Sequence, residues 1–161
     1  MEYRASLDNV SKVITVVCFL FIGFLIYRNA ALVRISPLFS ILIALFFFGI
    51  FIASYLYGPN KYLVKNGMLI IVRPINKISI PLADIKEARI LKKDELGTII
   101  RTSAWGAGGL FGYYGNFRSL RIGKMKLYTT RRDRRILITT TDDDLIIISP
   151  DDVSILDELK S

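Results

Sequence analysis

The residues with the most chemical potential in this 161-residue chain lie between positions 105 and 144. Gly106, Gly108, Gly109, Gly112 and Gly115 interleave with Trp105, Leu110, Phe111, Tyr113, Tyr114 and Phe117. A glycine-rich run can cradle phosphate through its backbone amides. That requires a G-K-[ST] ending and a helix starting at the loop, and neither is present. Three other readings of the segment stay open. It could be an interfacial loop with aromatics at headgroup depth, a surface for a protein partner or a second copy, or a glycine-bent loop whose aromatics pack on the rest of the chain.

Basic residues follow closely. Arg118, Arg121, Lys124 and Lys126 are succeeded by Arg131, Arg132, Arg134 and Arg135. Facing an anionic leaflet, each could contribute about 1 kcal/mol of attraction that fades within a Debye length. Otherwise they form a solvated rim that Asp133 partly neutralises. Asp142-Asp143-Asp144 lacks the spaced ligands of a calcium loop and reads as a solvated turn. The chain has no histidine, which removes imidazole bases, His-containing triads and His-ligated metals. No carboxylate pair and no nucleophile with a base stands out, so catalytic residues, metals and cofactors are not expected.

These residues sit behind a strongly apolar N-terminal third. Between Val13 and Tyr57 the only charges are Arg28 and Arg34. Ile35–Tyr57 would rise about 34 Å as a helix, enough to cross a ~30 Å hydrocarbon core. Pro37 suits its first turn, and Tyr55 and Tyr57 suit an interface. Val10–Tyr27 forms a second run, whose Lys12 can snorkel to the headgroups. Glu2 and Asp8 in its leader, and the lack of an A-x-A site after it, favour a retained anchor over a cleaved signal. Residues 1–59 are therefore expected to form a transmembrane helical hairpin, with helices at about 10–27 and 35–57. Arg4, Lys12, Lys61, Lys65, Arg73 and Lys77 outweigh the two arginines of the connection, which places both termini in the cytoplasm of a multi-pass protein.

Net charge is +8, and residues 58–161 hold 18 of the 22 Lys and Arg against 12 of the 14 Asp and Glu. For a domain tethered to a bilayer, that excess points to membrane lipids; no nucleic-acid motif is present, and no nucleic acid is expected. The single cysteine, Cys18, lies in the first apolar run and sets no disulfide framework.

From Gly58 onward the pattern is β. Tyr62–Lys65 and Met68–Arg73 flank Asn66-Gly67, a dipeptide suited to the positive φ angles of a tight hairpin. Lys77–Leu82 alternates, and Pro81 puts it at an edge or an end. Ile85–Leu91 can be a fourth strand, and Lys92–Arg121 reads as irregular with a short strand at 98–102. Lys124–Thr129 alternates again. Arg135–Thr140 and Asp144–Ser149 make a last hairpin, with the wholly apolar Leu145–Ile148 central. Ser149-Pro150-Asp151-Asp152 then reads as the N-terminus of a helix over 150–160.

About seven strands and a C-terminal helix resemble the plan of pleckstrin-homology (PH) domains. KISIPLADI (77–85), WGAGGLFGYYGNFRS (105–119), KMKLYTT (124–130) and IIISPDD (146–152) look like bacterial PH-like domains found behind transmembrane hairpins. The resemblance covers nearly all of residues 60–160. It implies an all-β PH-like barrel or sandwich and a non-catalytic protein, with no general biochemical activity to transfer. The usual phosphoinositide signature of PH domains, a lysine on the first strand and K/R-x-R on the second, is incomplete: Lys65 and Arg73 are present, but position 71 is Ile71 and the first turn is only Asn66-Gly67. The expected role is interaction with a protein partner or a second copy at the membrane. The alternative is an anionic-lipid surface module, and a nucleotide-binding enzyme ranks last. The residues expected to make lipid or partner contact are Trp105, Phe111, Tyr113, Tyr114, Arg118, Arg121, Lys124, Lys126, Arg131, Arg132, Arg134 and Arg135.

Overall fold

In a computed structural model of the chain, residues 1–33, 37–92 and 95–159 are described, without the side chains of 29–33, 101 and 103–107. A short strand, β1 (Glu2–Arg4), precedes two long helices, α1 (Asn9–Val33) and α2 (Pro37–Tyr57). Both helices are long and apolar enough to cross a membrane. Helix α1 runs past the expected end at residue 27, because no glycine or proline interrupts Arg28–Val33. The expected connecting loop shrinks accordingly, and Arg34 lies outside the described residues. Helix α2 is described from Pro37, a proline that suits the first helical turn, and Ile35 and Ser36 lie outside the described residues.

The rest of the chain is mostly strand: β2 (Lys61–Lys65), β3 (Met68–Val72), β4 (Lys77–Pro81), β5 (Ile85–Leu91), β6 (Ile99–Gly109), β7 (Gly112–Ser119), β8 (Gly123–Thr129), β9 (Arg135–Thr140) and β10 (Leu145–Ile148). A short helix, α3 (Ile155–Leu159), follows. One sheet has the order β1-β2-β3-β4 and the other β5-β9-β10-β8-β7-β6. The expected seven strands are ten among the described residues, and the sheets form an open pair, not a closed barrel. The extra strands come from β1 and from the long hairpin β6–β7, where mostly irregular chain was expected.

Several local expectations hold for physical reasons. Asn66 and Gly67 adopt φ of 54° and 68°, the left-handed pair that a two-residue hairpin needs. Pro81 closes β4, an edge strand, where its missing N–H costs no ladder bond. Strand β10 lies between β9 and a parallel β8, and both its faces are covered. Ile146 and Ile148 join the core beneath the four-stranded sheet with Tyr62, Leu69, Ile71, Ile136, Ile138 and Ile155. Ile147 points the other way, into a second cluster with Leu91, Leu96, Phe117, Met125, Leu127 and Leu137. Two covered faces explain a strand with no polar alternation.

Strand β1 belongs to this domain although it precedes the helices. Glu2, Tyr3 and Arg4 pair antiparallel with Leu63, Tyr62 and Lys61. Tyr3 and Ala5 are buried in the main core. Residues assigned on sequence to the hairpin segment 1–59 therefore supply one edge of the sheet.

The C-terminal helix is shorter than the expected 150–160. Ser149 does not cap it. Its buried hydroxyl accepts the amides of Thr130 at 2.9 Å and Arg131 at 3.3 Å, while its own amide donates to Tyr62 Oη at 3.2 Å. Tyr62 Oη donates onward to the Tyr128 carbonyl at 2.6 Å, and burial pushes this phenol up to about 12. Helix formation is postponed to Ile155, with the Asp152 carboxylate taking the Ser154 amide at 2.9 Å. Lys160 lies outside the described residues.

Candidate functional site

The domain meets its helices at one end, and the glycine-aromatic segment makes that meeting. Strands β6 and β7 pair down to Gly109 opposite Gly112, leaving Leu110-Phe111 as a two-residue tip. Gly109, Phe111 and Gly112 have φ of 125°, 53° and 119°. A left-handed aromatic residue carries a cost of about 1–2 kcal/mol, so something must hold it. The Phe111 ring lies 4.9 Å from that of Phe51 and 5.5 Å from that of Tyr55, both edge-on. Its amide donates to Thr15 Oγ1 of α1 at 3.3 Å. Thr15 and Phe51 each stand about 9 Å along their helices from the domain end, at 1.5 Å per residue. The tip is thus a wedge against both helices.

Close approach here needs glycine. A Cβ on Gly58, where α2 ends, would lie 2.9 Å from the Phe111 carbonyl oxygen, and one on Gly112 would lie 2.7 Å from that of Thr129.

The domain also satisfies the helix ends. The last carbonyls of a helix lack partners within it. In α2, Ser54 O accepts Tyr114 Oη–H at 2.7 Å, Leu56 O accepts the Ile75 amide at 3.2 Å, and Tyr55 O accepts the Gly58 amide at 3.3 Å. At the start of α1, the Asp8 carboxylate accepts the Ser11 amide at 2.7 Å and the Arg132 amide at 3.1 Å. Asp8 N–H donates to Thr130 O at 3.2 Å, and buried Ser11 Oγ donates to the same oxygen at 3.4 Å. Burial raises the Tyr114 phenol above its ordinary range.

The expected basic residues fall into two groups at opposite ends. Arg131, Arg132, Arg134 and Arg135 lie in or beside the loop between β8 and β9, next to Asp8 and the start of α1. Arg131 bridges Asp133 at 2.9 Å and Asp151 at 2.8 Å. Arg132 stacks over the Tyr113 ring at 5.0 Å and donates Nε–H to its hydroxyl at 2.8 Å. Burial lowers the Arg135 guanidinium, which nonetheless keeps its charge. Arg73, from the turn after β3, joins this end by stacking over Tyr57 at 5.6 Å and Tyr128 at 5.8 Å.

Arg118, Arg121 and Lys124 lie at the far end of β7 and β8. Arg118 is about 20 Å from Gly112 at the strand rise of 3.3 Å per residue, two Debye lengths from the helix-facing end. Arg118 pairs across from Lys124, and Asn116 across from Lys126. An open groove of about 350 Å³ runs over this face, lined by Thr102, Asn116, Lys124, Lys126 and Asp144 among others. Lys126 bridges Asp144 at 2.7 Å, which raises its ammonium pKa.

With this arrangement established, the bacterial PH domain family matches residues 60–161. The chain belongs to the bacterial PH domain family. No curated protein matches the chain, and no solved structure does. The PH domain is a non-catalytic module, and among the described residues no three His, Cys, Asp or Glu gather to hold a metal.

Within the PH domain, Phe111, Tyr113 and Tyr114 come together with the arginines of the β8–β9 loop at the helix-facing end. They are turned inward: Tyr113 and Tyr114 are buried and Phe111 is half-buried between helices. The Trp105 side chain lies outside the described residues. Sequence reasoning missed Asp8 as the cap of α1, although an acid three residues before Ser11 carries the usual N-cap signal. It also missed Tyr114 as a cap for α2, for which no local signal exists.

Proposed function

We propose that the protein is a non-catalytic, bilayer-spanning anchor whose cytoplasmic PH domain is held in one orientation and docks a protein partner or a second copy through its helix-distal basic face. The supporting observation is the division of labour between the two ends. At the helix-facing end the aromatic hairpin, the arginine loop and the N-terminal strand are engaged by the rest of the chain. At the other end Arg118 and Lys124 stand exposed and directly opposite one another on neighbouring strands. Like charges so placed are unfavourable for the sheet itself, and an acidic partner surface would relieve them.

A photo-crosslinking residue at Lys124, in the full chain in its native membrane, tests this reading. Discrete adducts are expected there and not from the same probe at Lys77, and Arg118→Glu is expected to reduce them at least tenfold, the effect of about 1.4 kcal/mol. Adducts of twice the chain mass would identify a second copy. Equal labelling at both positions, or no effect of the charge reversal, would reject the face as a docking site.

The positive residues at the helix-facing end support a second role and the orientation together. Lys12, Arg73, Arg131, Arg132 and Arg134 surround the helix ends there, as expected of the side that stays in the cytoplasm beside anionic lipid headgroups.

A further inference from the structure

One polar groove at the helix-facing end is unused by the proposed docking role. It has a volume of about 480 Å³ and is lined by Ser6, Asp8, Lys12, Arg131, Asp133 and Arg134, together with Asp151. It lies between the N-terminal segment and the β8–β9 loop, beside the first turn of α1. If α1 spans the bilayer, as proposed above, this is the depth at which headgroups lie.

The carboxylates of the groove are largely committed. Asp8 accepts two backbone amides. Asp151 takes the Ser6 amide at 3.2 Å, the Ser6 hydroxyl and the Arg131 guanidinium. Asp133 shares Arg131. Two cations keep donors to spare. The exposed Lys12 ammonium has no hydrogen bond or ion pair among the described residues, and Arg134 gives one Nη1–H to the Asp151 carbonyl at 2.6 Å. Arg134 is held there in a left-handed backbone conformation, φ 52°, and such conformations persist where surrounding contacts enforce them. The lining holds three cations, Lys12, Arg131 and Arg134, against three carboxylates, and Arg132 and Arg135 add two positive charges in and beside the same loop.

We infer that this groove binds the phosphate of an anionic glycerophospholipid, with Lys12 and Arg134 as its two donors. A planar guanidinium on one wall and a compact ammonium on the other suit a phosphodiester presented at the bilayer surface. The site differs from the turn between β2 and β3, the two-residue Asn66-Gly67, which lies at the end of those strands far from α2. The inference rests on the helices spanning the bilayer, but not on the partner-docking face.

The test uses the full chain reconstituted in nanodiscs of phosphatidylcholine with a minor fraction of phosphatidylglycerol. Native mass spectrometry then counts the lipids retained on release. Reconstitution alone reports whether the helices enter a bilayer, and lipid retention reports on the groove. Wild-type chain is expected to retain phosphatidylglycerol above its bulk fraction. Lys12→Gln with Arg134→Gln is expected to cut that enrichment about thirtyfold, from roughly 1 kcal/mol per cation near the surface. Arg118→Gln with Lys124→Gln removes the same charge at the distal face and is expected to leave the enrichment intact. Added inorganic phosphate is expected not to displace the lipid. Equal losses in the two double variants would mean diffuse attraction and overturn the site. So would retention of phosphatidylcholine in proportion to its bulk, or displacement by free phosphate.

Discussion

Deleting residues 2–5 from the full chain in detergent is expected to lower the melting temperature of the PH domain by about 10 °C or more. Strand β1 leaves with these residues, and with it the antiparallel pairing to β2. Tyr3 and Ala5, 7% and 8% exposed, are lost from the main core. Emptying the site of a buried aromatic costs about 3–5 kcal/mol, a large part of a stability that totals about 5–15 kcal/mol in ordinary domains. The unpaired edge of β2 would then be open to other chains. Tyr3→Ala alone should reproduce most of the loss. A fragment of residues 60–161 should show the same instability, with aggregation added. Thermal melts followed by near-ultraviolet circular dichroism give the comparison, and a deletion that melts with the parent would show that β1 contributes nothing.

The second large effect is expected at Gly112. An added Cβ would meet the Thr129 carbonyl oxygen at 2.7 Å and Thr130 Cα at 3.3 Å, on a residue with φ of 119°. Both obstacles are backbone, so neither can swing aside. Gly112→Ala should therefore cost about 3 kcal/mol or more, combining strain and overpacking. Gly109→Ala is expected to be milder. Its backbone is equally unusual at φ 125°, but the nearest atom, Ile14 Cδ1 at 2.6 Å, ends a flexible side chain. Gly108→Ala meets nothing within 4 Å and serves as the neutral control. Limited proteolysis in nanodiscs should release the domain fastest from Gly112→Ala and slowest from Gly108→Ala and the parent. Any other order would mean that the hairpin tip does not set the junction.

The parts of this architecture that were legible beforehand are those set by neighbours in sequence. Asn66-Gly67, Pro81 and Pro37 act through local backbone geometry. Leu145–Ile148 shows its double burial by its lack of alternation. The missed parts depend on distant partners. Strand β1 has three residues, too few for any periodicity, and becomes a strand only because β2 offers it an edge. The β6–β7 hairpin hides its alternation because glycines occupy positions that a strand would fill with side chains, and its ladder is further interrupted between Arg101 and Gly106. Ser149 carries every local mark of a helix cap, yet its hydroxyl is claimed by two amides from the loop after β8.

The basic residues show the same limit in the candidate site. Positions 118 to 135 look like one cluster along the chain. Strand β8 runs the length of the domain between them, so Arg118 and Lys124 finish far from the arginines that surround α1. Their charge is legible in sequence, whereas their separation is a property of the sheet.

The most direct test of the central claim, that the PH domain is locked to its own helices by the hairpin tip, is disulfide trapping in native membranes. Cys18 is replaced by Ser, and cysteines are placed at Thr15 and Phe111, whose Oγ1 and amide nitrogen lie 3.3 Å apart. That separation is compatible with the roughly 5–6 Å Cα spacing of a disulfide. Rapid crosslinking is expected under mild oxidation, and none when the second cysteine is at Leu120, at the far end of the hairpin, instead of Phe111. Equal crosslinking of the two pairs would mean that the domain moves freely against its helices, and no crosslinking of either would mean that the tip does not sit at Thr15; each result would overturn the locked junction.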